Sequence, residues 1–336
     1  MDFIKNHVLG CLLGLASGDA FGMPTEFLTR DAIKSHYGWV NCFIPPHAGH
    51  FHAGMPAGRI TDDTGQSLAI LKHVVKNNGE LDVKVIARAL IEWKNELGNE
   101  FDRVVGPSTR RALEELMRGG DPEITGKEGR TNGAAMRAPI AGLLHPGNLN
   151  AALHAAYLTS LPTHGTNLAI AGAGAVACAI SAAMVPGSNL ESILLAARQG
   201  SQVGAQRGQI VWGTSLDKRI NLALRMVEEA STIEDALDNL FHYVGVDMVV
   251  AESVACAFGI VKLAEGDPVQ AVTLSANIGG DTDTIGAIAG AVCGAWKGAS
   301  AFPREWLELL EQVNQFDMVV LASRLSEVVE NFEGRI

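Results

Sequence analysis

Aromatic side chains are scarce: Phe, Trp and Tyr together make up 6% of the 336 residues. Charged residues are also few, at 19%, and basic ones are outnumbered, 26 Lys and Arg against 37 Asp and Glu, for a net charge of -11. That negative surplus repels nucleic-acid phosphates and anionic lipid headgroups, so neither nucleic acid nor membrane is expected as a partner. Apolar residues, by contrast, reach 47%, well outside the disordered regime. With few rings and 37 glycines, the core has to be built from small and aliphatic side chains, whose backbones can approach closely.

Paired cysteines are missing too. Cys11, Cys42, Cys178, Cys256 and Cys293 are odd in number and scattered, without a C-x-x-C. This argues against a disulfide framework or zinc knuckle and predicts reduced, mostly buried thiols in a cytoplasmic protein. Gly18-Asp19 follows the first apolar stretch where a signal peptidase needs small neutral residues, so that stretch reads as a helix. Residues 168–185 carry no charge over about the ~18 residues of a bilayer crossing, yet are mostly Ala and Gly without basic or aromatic flanks; a buried core helix is expected. There is no G-x-S-x-G and no G-x-x-x-x-G-K-[ST], which removes the common serine-hydrolase and P-loop chemistries.

What is present is helical spacing. Val83, Ile86, Ala87, Leu90 and Ile91 form one apolar stripe, with Glu92, Lys94 and Glu96 around the outside. Ser188 with Glu191, and Ser231 with Glu234, have capping-box spacing, and Asp267-Pro268 places a cap before a first-turn proline. Gly119-Gly120 and Pro186-Gly187 mark helix ends. Alternating β-branched runs are nearly absent, and no linker, charge block or repeat divides the chain. The reading is an all-α fold, one compact domain over residues 1–336 with about ten or more helices. Residues 36–60 and 120–136, rich in turn residues, are the candidate functional loops. Gly286, Gly290, Gly294 and Gly298 recur at every fourth position, the spacing of a groove on one helix face where another helix packs closely.

Two acidic clusters stand far apart, Thr61-Asp62-Asp63-Thr64 and Asp281-Thr282-Asp283-Thr284, each followed by an apolar helical run. Both fall at helix N-termini. Asp and Thr are preferred helix caps, and one carboxylate per helix satisfies that need. Two within three residues repel each other unless a cation shares them. Seen twice, the pattern fits either a pair of caps or a cation site between two helix starts, with oxygen-only ligands suited to Mg²⁺ or Mn²⁺ rather than Zn²⁺. An EF-hand fails because Ile285 and Val292 occupy ligand positions, and Gly172-x-Gly174-x-x-Ala177 follows no strand, as a dinucleotide fingerprint must. His47, His50 and His52 precede the first cluster, but no regular structure presents them and no Cys is near, which argues against zinc.

The strings GLASGDAFGMPTE at 14–26, TDDT at 61–64, TNGAAMR at 131–137, Thr163-His164 and IGGDTDT at 278–284 occur in this order over nearly the whole chain. In them the chain resembles the ADP-ribosylglycohydrolases, which include dinitrogenase-reductase-activating enzymes and ADP-ribosyl-acceptor hydrolases. The resemblance implies an orthogonal all-α fold and a centre of two divalent cations, Mg²⁺ or Mn²⁺. Thr61, Asp62, Asp63 and Asp283 would hold one ion, and Asp281, Asp283 and Thr284 the other, with Asp283 bridging. Glu26 matches an acid on the opposite wall, a movable ligand or general acid/base; Asp62, Asp63 and Glu26 are the candidates to accept a proton from water. Asn132, Gly133 and His164 match the ADP-ribose cleft, and Gly106 and Ser108 a turn against the diphosphate. The implied substrate contains ADP-ribose, linked to a protein side chain or a small conjugate. Two other readings stay open: hydrolysis of a small N-riboside at the same centre, or ADP-ribose binding without catalysis.

Overall fold

The computed structural model describes residues 2–333. The expected all-α architecture is what is found: well over ten helices and, among the described residues, no strand beyond two isolated bridges. One buried apolar cluster runs from Val8 to Val329.

Its axis is a pair of helices from opposite ends of the chain. The first, Phe3–Gly22, is apolar around its circumference and buried from Val8 onward, as a helix inside a large core must be. It is long and apolar enough to cross a membrane, but its apolar window is entirely buried within the protein. Against it lies Thr282–Lys297. The predicted glycine groove exists, and its counterpart is a second glycine series in the first helix. A Cβ on Gly14 would fall 2.0 Å from the Gly290 carbonyl oxygen, and one on Gly18 would fall 1.9 Å from that of Gly286. Gly10 meets Gly294 in the same way, and Gly22 meets the Asp283 backbone. Backbone touches backbone, so any side chain there forces the helices apart. Gly298 closes the series just past the helix end, at φ +80°, and its backbone still meets Gly10 and the Asn6 side chain of the first helix. The uncharged run expected to be a core helix is Asn167–Ala183, nearly all buried, crossing Leu190–Gly204 through mutual contact of Gly174 and Gly200.

Local signals hold with small shifts. Val83–Leu97 buries Val83, Ile86, Ala87 and Leu90 behind an Asp82 cap, and Asp267 caps Pro268–Ala276. The two helix starts expected at capping boxes fall one residue later, and only the first is a capping box. Asn189 exchanges hydrogen bonds with Ser192, and Thr232 accepts from the Asp235 N–H. Burial of Ile193, Leu194 and Ala197 sets the phase of the first of these helices, and Asn is as good a cap as Ser. The five cysteines are free thiols, Cys42 exposed and the rest buried.

Candidate active site

Thr61 and Asp281 are the N-cap residues of Asp62–Lys76 and Thr282–Lys297, and neither caps its helix with its side chain. At the first entrance the cap comes from elsewhere. Asp19, fully buried in the first helix, accepts from the Thr61 N–H at 2.9 and 3.0 Å and from the Thr64 N–H at 3.0 Å. It also accepts from the hydroxyls of Thr61 at 2.9 Å and Thr64 at 2.6 Å. At the second entrance Gly279 and Gly280 turn at φ +84° and +70°, and the Asp281 N–H donates to the Val246 carbonyl at 2.7 Å.

The glycine contact thus draws the two entrances together. Oxygens of Glu26, Asp281 and Asp283 lie within 4.8 Å of one another. Asp62, Asp63 and Thr284 line the same cavity, about 60 Å³ in volume, and the Thr61 hydroxyl is 3.5 Å from Asp283 Oδ2. These acids are at most 9% exposed. Burial, then the Asp283 charge, holds Glu26, Asp62 and Asp63 well above the usual carboxylate range. Burial and then Asp281 do the same to Asp283. Burial raises Asp281 to about 6, against the lowering hydrogen bond from Asn132. Five such groups cannot all ionise side by side without a counter-cation. The donors are all oxygen, and Asp63 Oδ1, although buried, has no hydrogen-bond partner. Both features fit a hard divalent cation.

Surrounding contacts orient the acids. Asn132 donates from Nδ2 to Asp281 and to Ser253. Gln66 donates to Asp62 Oδ2 at 2.9 Å and accepts at Oε1 from Arg137 at 2.7 Å. Arg137 is completely buried, and that burial lowers its pKa to about 10, with Asp62 opposing the shift. It also donates to the Thr163 hydroxyl, which lies 2.8 Å from His164 Nδ1, while His164 Nε2 lies 2.9 Å from the Thr131 hydroxyl. The consistent assignment has Thr163 donating to Nδ1 and Nε2–H donating to Thr131. His164 is therefore a neutral, fully buried ring, its pKa depressed first by burial and then by Arg137. It supports Gly133, whose added Cβ would meet His164 Cε1 at 2.6 Å. His164 is not among the residues lining the cavity; Thr131, Asn132 and Gly133 are. Gly106 also lines it and begins Pro107–Met117, but from that helix Thr109, rather than Ser108, faces inward.

The histidines ahead of the first cluster serve Glu26. His52 Nε2 shares a proton with Glu26 Oε2 across 2.8 Å. Burial, and then His50, depress the His52 pKa to about 3, so the contact is a hydrogen bond and not an ion pair. His50 Nε2 donates to the Glu26 carbonyl at 2.9 Å, while His50 Nδ1 accepts from the His52 N–H. With both His50 nitrogens engaged, the trio does not form a zinc site. Asp19, Gln66, Arg137 and His52 are among the residues to which sequence reasoning gave no role. Asp19 had a readable signal, as the one charge in an otherwise uncharged stretch of the first helix from Val8 to Gly22.

A helical protein with oxygen-only acids gathered at paired helix starts is the class that fold and site define. The sequence model of the ADP-ribosylglycohydrolase family matches residues 2–334, and the chain belongs to that family. It is 35% identical to the protein YegU of Escherichia coli (strain K12), over 98% of each chain. It is 28% identical to the ADP-ribosyl-[dinitrogen reductase] glycohydrolase of Rhodospirillum rubrum, over 92% of this chain and 91% of that one. A solved structure titled ADP-ribosylglycohydrolase-related protein complex superposes with a TM-score of 0.70 at 28% identity, covering 98% of this chain and all of the other. Family and relatives indicate ADP-ribosyl hydrolase activity.

Proposed function

We propose that this protein hydrolyses the glycosidic bond between ADP-ribose and a protein side chain or small conjugate, with two divalent cations, Mg²⁺ or Mn²⁺, as cofactors. The observation that carries the reading is the convergence of Glu26, Asp62, Asp63, Asp281 and Asp283 on one buried cavity. Thr61, Asp62, Asp63 and Asp283 would hold one ion, and Asp281, Asp283 and Thr284 the other. Cations bound there supply a Lewis-acid hold on sugar hydroxyls and acidify water near neutral pH.

The rest falls to the chain's own groups. Cleavage at the anomeric carbon builds positive, oxocarbenium-like charge, which a wall of carboxylates favours. Gln66 and Asn132 hold Asp62 and Asp281 in fixed orientations through their amide donors. Glu26, kept basic by burial and its acidic neighbours and hydrogen-bonded to His52, is placed to accept a proton from water and return it to the leaving group. The start of Pro107–Met117 after Gly106, which no side chain caps, offers the backbone N–H groups of Ser108 and Thr109 to a diphosphate. Half-exposed Phe27, stacked on Phe51 with 5.7 Å between ring centroids, offers an apolar face at the cavity mouth. The free thiols support a reducing, cytoplasmic setting.

The test is release of ADP-ribose from arginine- and serine-linked substrates with Mg²⁺ or Mn²⁺ present and after chelation. Metal-dependent release is expected. Absence of release from every ADP-ribosyl linkage, with free nucleosides cleaved instead, would move the activity to small N-ribosides.

A further inference from the structure

We infer that Asp19 is a positioning residue for the cation site, a carboxylate from another helix that caps the first acidic entrance so that the entrance's own side chains stay free to act as ligands. The inference rests on the metal reading above. A helix beginning Thr61-Asp62-Asp63 has two demands on the same oxygens. Its first N–H groups need acceptors, and a cation needs the very carboxylates and hydroxyl that would ordinarily supply them. Asp19 resolves the competition by taking both N–H groups and both threonine hydroxyls onto its two oxygens. Asp63 Oδ1 is consequently left without a partner.

The hydroxyl of Thr61 makes the point most sharply. It has one proton and two lone pairs. Its acceptors are Asp19 Oδ1 at 2.9 Å, Asp63 Oδ2 at 3.4 Å and Asp283 Oδ2 at 3.5 Å. With the proton on the shortest contact, the lone pairs of Thr61 and those of Asp63 and Asp283 remain for a cation. Without Asp19, the proton turns toward the two carboxylates and the orphaned N–H groups compete for Asp62 and Asp63. The placement is also rigid. Asp19 follows Gly18, whose backbone is in contact with Gly286 three residues after Asp283, so the cap and the second entrance are fixed to one another by the same helix pair.

Asp19→Asn keeps the size of the side chain but sets an amide donor against the threonine donors. Mn²⁺ binding to the full-length protein, measured by titration calorimetry without substrate, should weaken about 10–100-fold, the range for losing a group that orients a ligand. The far-ultraviolet circular dichroism should stay native, and saturating Mn²⁺ should restore most of kcat. Thr64→Val removes one hydrogen bond to Asp19 without changing any charge and should weaken Mn²⁺ by roughly threefold or more. Asp19→Asn binding Mn²⁺ within twofold of wild type would overturn the inference. So would a lowered melting temperature with an undiminished Mn²⁺-induced rise, the mark of a purely structural role. Should Asp19→Asn fail to fold, Thr64→Val decides, and unchanged affinity there counts against positioning. Wild-type protein that binds no Mn²⁺ removes the metal reading itself, an outcome distinct from these.

Discussion

The two acidic entrances look alike in sequence and are built differently. The first, at Thr61, depends on a single carboxylate borrowed from the first helix. The second, at Asp281, depends on backbone: two glycines in left-handed turns, the Asp281 N–H on Val246 and the Thr282 hydroxyl on the Gly22 carbonyl. A mainchain frame is insensitive to side-chain protonation, whereas a carboxylate cap is not. The burden on the side chains therefore falls on the first entrance, while the second provides the fixed edge against which it is set.

The largest effect that tests this division is at the residue the two entrances share. Asp283→Ala removes the carboxylate adjoining Thr61, Asp281 and Glu26 and should abolish turnover while circular dichroism stays native, because the frame around it is backbone. Retained activity would sink both the shared centre and the comparison. Next comes the helix pair that holds the entrances together. Gly18→Val drives a side chain into the Gly286 carbonyl and should destabilise the fold by about 3 kcal/mol, at the upper end of ordinary overpacking. Chemical denaturation checks it, and a loss below about 0.5 kcal/mol, within the range of surface substitutions, would show that the helices separate freely.

The second half of the helix pair was harder to read than the first. Gly286, Gly290 and Gly294 announce a groove by their spacing, but nothing local says which helix fills it. Gly10, Gly14, Gly18 and Gly22 repeat at the same interval almost 280 residues away, and pairing two such series requires comparing distant segments. The acids were legible because crowded carboxylates are rare without a purpose. Arg137 was not, and the lone charge of Asp19 marked it without giving its role, because each acts through a partner whose position only the fold supplies. The two helix starts slipped by one residue because several adjacent Ser, Thr and Asn side chains can cap, and tertiary burial chooses among them.

The smallest predicted effect separates the two entrances by pH. Asp281 and Asp19 have folded pKa values raised to about 6 from an ordinary 3.8, in both cases chiefly by burial. A raised carboxyl pKa means that the folded state keeps a proton the unfolded chain has released. Stability from these groups is therefore complete below the unfolded value and declines as pH rises to about 6. A divalent cation competes with those protons, so its affinity rises across the same window. Melting temperatures at pH 5 and pH 7.5, in chelator and in Mn²⁺, should show a metal-induced rise that is larger at pH 7.5. An equal rise at both values would mean that the acids are already ionised without metal. In Asp19→Asn the pH dependence of the metal-free protein should flatten, since its first entrance no longer titrates at the cap, while Asp281 and the other buried acids of the site keep the remainder.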